Sequence, residues 1–422
     1  SANSSDNYAA ADNSKGARTF AGTDSSWLIS IGAAIATGDS VAAGVGVSVN
    51  EISVSTLARM DATAATTPGA ITVSASNNAV IGTGTLAGSK VDADGKGNFS
   101  GAGSFSVNTI NNSTEAHVGL GSNLSAGGDI RVTATDSSTL VSIAGAVALN
   151  GKATVGFSLG RNIISNTAKA YVDASTLVTT GTGKAVLVEA QNKPLLVTVV
   201  LGLAKADGAQ TSFAGAGSVA LNWITNTTDA HISGNSTVSG PGGVTVRANG
   251  GASIYSFAGG VTIGGKATVG AAVAYNYVGG DPDAPSSSKV NRVEAYIADS
   301  SVTSSAGSIS VLAGFDNPAS IPAAPSNAVG FMTLTMPSTQ TSQITSVAIG
   351  VASGSEGGKF AAGGSFGINF NRNVIKAYAA DTAAAGTLAL NANQSISIQA
   401  GNTARIYVGV GGLAYSNGGS SV

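Results

Sequence analysis

The feature that most constrains the fold is a motif that recurs along the chain at nearly equal intervals. It consists of Asn, an aliphatic residue two positions later, usually a second Asn after two more, and then Ala followed by a large polar or aromatic residue. The six copies begin at Asn50, Asn108, Asn162, Asn222, Asn276 and Asn369, which lie 58, 54, 60, 54 and 93 residues apart. Such self-similarity is the signature of a repeat architecture in which each unit packs on the next.

Short segments with alternating apolar residues accompany each copy, for example ITVSA at residue 71, VTVRA at 244 and ISIQA at 396. Period-two alternation predicts strands, and Gly-rich turns such as GGKA at 264 separate them. His117 and His231 lie 114 residues apart, or two units of about 57. We therefore predict an all-β parallel β-helix, a solenoid of repeats of about 57 residues. With roughly 20 residues per coil, each repeat would supply about three coils.

Composition excludes several classes of protein. Only 10% of the residues are charged, against about 25% in a typical globular domain, and there are 58 Gly and no Cys. The net charge of −2 gives no electrostatic basis for binding nucleic acid. The longest apolar run, PLLVTVVLGLA at 194–204, is far shorter than the roughly 18 residues of a membrane helix. We expect no nucleic-acid partner and no membrane span.

The motif asparagines are predicted to form a structural ladder rather than a ligand site. Equivalent residues of successive coils lie about 4.8 Å apart, so one carboxamide can bond to the next. The predicted ladder contains Asn50, Asn108, Asn162, Asn222, Asn276 and Asn369. With three coils per unit, His117 and His231 would lie six coils or roughly 30 Å apart, too far to share a metal ion. We predict no catalytic residues, no cofactor and no metal site.

Alternation also predicts a candidate contact surface. In the segment DAHI, Ala230 and Ile232 should face inward, and Asp229 and His231 outward. The candidate surface joins the column of His231 to the aromatic residues that follow the ladder asparagines, and it would stack on sugar rings or pack against a neighbouring filament. It comprises Arg59, His117, Tyr171, Trp223, His231, Tyr277, Tyr296, Phe370 and Tyr378.

Two irregular insertions interrupt the period, at 279–289 and 314–343, and both are predicted to be loops on the flank of the solenoid. The second is rich in proline and is an alternative contact site, because loops often carry recognition. Residues 1–422 are otherwise predicted to be one continuous solenoid segment cut from a longer chain, since both ends fall inside a unit.

The repeat units resemble those of a known family. The stretch VALN at 219–222, followed by ITNTTDAHI at 224–232 and STVSGPGGVTVRA at 236–248, resembles the repeats of large bacterial exoproteins of the filamentous haemagglutinin type, especially leukotoxin-like filamentous adhesins. The resemblance implies a right-handed parallel β-helix, export through an outer-membrane partner protein (two-partner secretion), and a place outside the cell or on the bacterial cell surface.

The function implied is that of a non-enzymatic, structural and adhesive filament segment that acts in adhesion, biofilm or contact between cells and surfaces. Its partners would be further copies or neighbouring filaments, with carbohydrate or a host or other cell surface as further candidates. Two alternatives stay open: a β-helix that binds or cleaves polysaccharide, and a part of a secreted toxin.

Overall fold

The computed structural model describes residues 17–92, 98–207, 212–281, 289–315, 343–382, 387–417 and 420–421. In these ranges the chain forms 33 strands and no helix, and we number the strands in chain order. Accordingly, no helix in this part of the chain is long and apolar enough to cross a membrane. The strands belong to five sheets, which we call A to E in the order in which the chain enters them.

Strand bounds follow the same repeating order in each coil. Sheet A contains β1 (Arg18–Asp24), β6 (Ile71–Asn77), β11 (Ile130–Asp136), β16 (Ala185–Asn192), β21 (Gly243–Gly250), β26 (Ile309–Phe315) and β31 (Ile396–Asn402). Sheet B contains β2 (Trp27–Gly38), β7 (Val80–Val91), β12 (Thr139–Gly151), β17 (Leu195–Ala206), β22 (Ser253–Ile263), β27 (Ile344–Glu356) and β32 (Ile406–Asn417). Sheet C contains β3 (Val41–Ile52), β8 (Phe99–Ile110), β13 (Ala153–Ile164), β18 (Phe213–Ile224), β23 (Ala267–Val278), β28 (Phe360–Asn371) and β33 (Ser420–Ser421). Sheet D contains β4 (Ser55–Asp61), β9 (Ser113–Gly119), β14 (Thr167–Asp173), β19 (Thr227–Ser233), β24 (Asn291–Ala298) and β29 (Asn373–Ala380). Sheet E contains β5 (Ala64–Thr67), β10 (Asn123–Ala126), β15 (Thr176–Thr179), β20 (Thr237–Ser239), β25 (Ser301–Ser304) and β30 (Ala389–Ala392).

The strands of each sheet pair in parallel, and each pairs with its equivalent in the next repeat. Asn162, for example, is in register with Asn108 on one side and Asn222 on the other. The predicted parallel β-helix and its repeat of about 57 residues are therefore confirmed. The predicted three coils per repeat are wrong, because one repeat passes once through all five sheets and closes a single coil. The seven strands of sheet A consequently span only about 29 Å along the axis, at about 4.8 Å per coil.

The cross-section of each coil has two parts. Sheets A, D and E, with the adjoining ends of sheets B and C, enclose an aliphatic core that we call the prism. In it, fully buried residues such as Ile110, Ile164 and Ile224 stack coil upon coil. The rest of sheets B and C form a two-layer extension, which we call the flange. Its interior contains small residues, including Ala144, Ala220 and Ala258.

The flange is thin because its two sheets approach closely. A Cβ atom added at Gly202 of sheet B would lie 2.9 Å from the carbonyl oxygen of Gly156 in sheet C, and closer still to that of Gly217. In the same layer, Ser104 Oγ of sheet C donates a hydrogen bond of 2.7 Å to the carbonyl oxygen of Thr85 in sheet B. Two sheets with larger side chains pack about 10 Å apart, so this contact explains why the chain is rich in Gly, Ala and Ser.

The described residues that flank both insertions lie at corners between sheets. Residues 279–289 connect sheet C to sheet D, and Asp281 and Lys289 form an ion pair of 2.7 Å where this insertion begins and ends. Gly314 and Phe315 still belong to β26, so the predicted start of the second insertion is wrong by two residues, and residues 316–343 connect sheet A to sheet B. Residues 282–288 and 316–342 lie outside the described residues, so the alternative contact site in the proline-rich insertion does too.

Candidate functional site

The motif asparagines form a continuous hydrogen-bonded ladder along the inner side of sheet C. Each Nδ2 donates to the Oδ1 of the equivalent Asn in the next coil, from Asn50 to Asn369 through Asn108, Asn162, Asn222 and Asn276, at 2.7, 2.7, 3.0, 2.8 and 2.8 Å. The last of these bonds joins coils on either side of both insertions, so neither interrupts the ladder. Asn108, Asn162, Asn222 and Asn276 are fully buried.

The ladder also joins sheet C to sheet B. Asn108 Nδ2 lies 3.3 Å from Ser142 Oγ, Asn162 Nδ2 lies 2.8 Å from Thr198 Oγ1, and Asn276 Nδ2 lies 3.0 Å from Ser346 Oγ. These bonds cross the neck between the prism and the flange. Because Asn108, Asn162, Asn222 and Asn276 each use both Nδ2 and Oδ1 in bonds within the protein, the column is structural. It satisfies polar groups at the point where the aliphatic core ends.

A second asparagine ladder lies at the corner between sheets C and D, four residues after the first ladder in the regular repeats. Asn112, Asn166 and Asn226 each accept, through Oδ1, a hydrogen bond of 3.0 to 3.1 Å from a backbone N–H of the preceding coil. Asn291 continues this pattern by accepting from the Asn226 N–H at 3.0 Å. The sequence predicts no role for these residues, although their fixed spacing of four from the first ladder is a visible signal.

Most of the predicted contact surface lies on the outer side of sheet D, as a column of stacked rings. Ala230 and Ile232 of β19 are fully buried, so their side chains point inward as predicted. Ring centroids along His117, Tyr171, His231, Tyr296 and Tyr378 lie 4.7, 5.0, 4.6 and 4.9 Å apart, with planes within 11° of parallel. Arg59 is in register with His117 at the start of the column, and His117 is only 9% exposed, so the exposure predicted for His117 is wrong.

This stacking corrects two expectations. His117 and His231 lie two coils apart with Tyr171 between them, not six coils apart, because a repeat is a single coil. The rings also cover one another's faces, so Tyr171, His231 and Tyr296 have no free face on which a sugar ring could stack. Their outer edges remain available for contact.

Carboxylates flank the ring column and fix its polar atoms. His117 Nε2 lies 3.2 Å from Asp61 Oδ1, and His231 Nδ1 lies 2.7 Å from Asp229 Oδ1. The Tyr171 hydroxyl donates to Glu115 Oε1 at 2.7 Å. The pKa of Glu115 is lowered, first by hydrogen bonding to His117, although burial opposes the shift. Burial, followed by the bond to Glu115, raises the pKa of Tyr171, so its phenol stays protonated.

The aromatic residues that follow the ladder lie on the outer side of sheet C, near the neck. Trp223 and Tyr277 are only 9% and 7% exposed, so the exposure predicted for them is wrong. The rings pack on their neighbours, and the guanidinium groups of Arg161 and Arg372 lie 6.0 and 5.5 Å from the respective ring centroids. Phe370 alone of the three is exposed.

A further surface, which sequence reasoning missed, is the outer side of the flange. There Ile143 and Ile263 are each 45% exposed, while the residues that alternate with them are buried. The alternation in TLVSIAGAVAL was visible, but it did not reveal that the larger residues face out. Among the residues that the structure describes, no group of three or more His, Cys, Asp or Glu side chains could hold a metal ion.

The two ladders, the ring column and the outer sides of the flange are the features from which a function can be inferred. No protein-family model, curated protein or solved structure matches this chain.

Proposed function

We propose that this chain is a structural and adhesive segment of an extracellular filament at a bacterial surface, and that it acts without catalysis. The observation that carries the proposal is the in-register stacking of all five sheets, with inward polar groups bonded from coil to coil. Such an interior supports a scaffold, because side chains held in bonds between coils are not available to a substrate. The extracellular location rests on the resemblance of the repeats to adhesin repeats.

The exposed chemistry also supports adhesion. Outside the prism, the chain presents flat sheet surfaces with few charges and many aliphatic side chains, including Ile143, Ile263 and Ile349. Contiguous apolar surfaces of this kind are typical of sites of protein or surface contact. A repeat protein extends such a surface with every coil that it adds, which is a physical reason for a long chain of similar units.

Carbohydrate binding is a second candidate, and one feature favours it. Glu115 and Asp229 are in one register column on the outer side of sheet D, beside the exposed edges of the ring column, and Glu294, which is buried, continues this column. Carboxylates accept hydrogen bonds from sugar hydroxyls, and ring edges provide apolar contact. Lys169 lies between the first two carboxylates, so the column has mixed charge.

An adhesion assay tests the proposal. Beads coated with the purified chain are washed over glass, plastic and bacterial cells, and beads coated with an unrelated soluble protein are the control. We expect several-fold greater retention of the coated beads on at least one surface, and equal retention on all of them would refute adhesion. New reducing or unsaturated ends after incubation with acidic polysaccharides would instead establish an enzyme. Antibody labelling of intact producing cells tests the location.

A further inference from the structure

The outer side of sheet B is an apolar surface made by an unusual distribution of residues. In β12, Ile143 and Val147 point outward and are 45% and 38% exposed, while Ala144 between them points into the flange and is buried. The larger side chains therefore face solvent and the smaller ones face the interior. In the described strands of sheet B, the charged residues are Lys90, Lys205 and Glu356, and all three lie at the end of the strand that approaches the flange tip.

This surface is large enough to form an interface. Seven strands spaced by about 4.8 Å, each with five outward positions over about 27 Å, give a flat side of roughly 800 Å², in which Tyr255 is covered and only 2% exposed. A stable protein interface of standard size buries about 800 Å² on each partner. The largest apolar patch on a typical monomer is about 300–600 Å².

The relief of the surface, which is its alternation of large and small residues, repeats along the axis. In one register row, Leu86, Leu201 and Ile349 alternate with Gly145, Gly259 and Gly411. Leu86 Cδ2 lies 2.9 Å from where a Cβ of Gly145 would be, and Leu201 Cδ2 lies 2.7 Å from the same place at Gly259. Each leucine thus covers the glycine of the next coil, and the relief repeats every two coils, or about 9.6 Å. A partner that fits the whole face needs this axial spacing, and a second copy of the flange has it.

The flange tips argue against a lipid partner. In each of the first six coils the turn from sheet B to sheet C carries a charged side chain: Asp39, Asp92, Lys152, Asp207, Lys266 and Lys359. Inserting the flange into a bilayer would carry these charges into the hydrocarbon layer, which is unfavourable for each charge. Packing of one flange side against another leaves the tips in water.

We propose that the outer side of sheet B packs face to face against the same side of a second copy of this chain. The contact would be a two-sheet sandwich, a common arrangement for sheets with one apolar side, and a symmetric pair needs only this one surface. The inference rests on the proposed function, because it names the partner and the surface through which adjacent filaments would make lateral contact.

The test compares two double variants of the whole chain that alter the same coil on opposite sides of the flange. Ile143→Glu with Val147→Glu places carboxylates on sheet B, and Val155→Glu with Leu159→Glu places them on the outer side of sheet C. Sedimentation velocity over a concentration series gives the dissociation constant of the dimer. We expect the unsubstituted chain to dimerise and the sheet C variant to have the same dissociation constant. The sheet B variant should dimerise at least about a hundredfold more weakly, because unpaired charges in a dry interface are costly.

Three results would overturn the inference. The first is that the unsubstituted chain is a monomer. The second is that both variants retain the circular dichroism spectrum of the unsubstituted chain and weaken the dimer equally. The third is that the unsubstituted chain floats as a monomer with phosphatidylcholine vesicles. If the sheet B variant loses its β-sheet spectrum, the double variant Ile143→Thr with Val147→Thr is used in its place. A dissociation constant of this folded Thr variant equal to that of the unsubstituted chain would also contradict the proposal. Running the bead assay on the same proteins separates the two proposals. A monomeric chain that still adheres refutes only this inference. A dimer that does not adhere refutes only the adhesive function.

Discussion

At the scale of single residues, burial and hydrogen bonding decide which positions the fold requires. Asn222 is fully buried and lies within hydrogen-bond distance of Asn162, Asn276, Thr198 and Ser256. Ser218, four residues earlier in the same strand, is equally enclosed, but its Oγ has no hydrogen-bond partner among the described residues. The two positions therefore separate the effect of a lost ladder bond from that of a lost buried oxygen.

Asn222→Leu should lower the free energy of unfolding by about 2 to 4 kcal/mol, because it leaves several buried donors and acceptors without partners at about 1 to 3 kcal/mol for each group. The matched control, Ser218→Ala, should change it by less than about 0.5 kcal/mol. Urea denaturation monitored by circular dichroism gives both values. Equal losses at the two positions would show that the ladder bonds do not stabilise the coils.

Asp136 is a buried carboxyl in a column where the neighbouring coils have Asn77 and Asn192. Burial raises its pKa even though Ser138 and Asn166 donate hydrogen bonds to it, and its Oδ2 has no partner among the described residues. Because the folded pKa is raised, the folded state gains stability from the protonated carboxyl below the unfolded pKa of about 3.9 and loses it as the pH rises through the folded value.

Asp136→Asn should therefore stabilise the protein at pH 7, by about 1 kcal/mol, because it removes the cost of holding at that pH a buried carboxyl whose pKa is raised, and it keeps the acceptor oxygen. The gain should shrink as the pH falls towards 3, where the wild-type carboxyl is also neutral. Thermal unfolding across this pH range measures the difference. A gain that stays constant with pH would mean that ionisation of Asp136 is not its source.

At the scale of elements, the distance between sheets B and C is set by glycine and alanine. A Cβ added at Gly202 would lie against backbone carbonyl oxygens of the opposite sheet. A Cβ added at Gly84, on the outer side of sheet B, would meet no atom within 4 Å. Alanine should therefore act in opposite directions at the two glycines.

Gly202→Ala should destabilise the protein by about 2 kcal/mol, because the added methyl group must push two backbones apart. Gly84→Ala should be neutral or stabilise by about 0.5 kcal/mol, since it restricts the unfolded chain and meets no obstacle in the folded one. The midpoints of urea unfolding compare them. If Gly202→Ala is tolerated as well as Gly84→Ala, the flange is less tightly packed than described.

At the scale of the whole molecule, one repeat is one coil, and each coil packs only on the coils before and after it. In sheet C, Ala153 and Ala267 of the two GKATVG segments alternate in one register row with Phe99, Phe213 and Phe360, so GKATVG recurs after two coils, or 114 residues, rather than after 57. A deletion that removes two whole coils should thus preserve both the register and this alternation.

Deletion of residues 109–222 joins Asn108 to Trp223 and removes two coils, because Asn108, Asn162 and Asn222 are in one register column. We expect a folded product with an unchanged β-sheet spectrum per residue and a lower unfolding midpoint. Deletion of 203–222, the length of one coil if a repeat contained three, cuts through sheets B and C and should abolish cooperative unfolding. A well-folded product from the second deletion would contradict the single-coil repeat.

The sequence by itself determined the repeat, the strands and the faces of the prism. These follow from local information: a period of about 57 residues identifies a solenoid, and alternation in DAHI places Ala230 and Ile232 in the core. The column of asparagines could also be predicted, because residues at the same place in successive repeats must stack.

Only the tertiary structure decided how many residues close a coil and which side of the flange is covered. Closure depends on where the chain turns through all five sheets, and the motif spacing is the same whether a repeat contains one coil or three. In β12, alternation places Ile143 and Ala144 on opposite sides of the sheet but does not decide which side faces solvent. Hydrophobicity alone would place Ile143 inside, whereas Ile143 is exposed and Ala144 is buried. Close contact between two backbones selects the small residues for the interior, and that contact exists only after sheets B and C have come together.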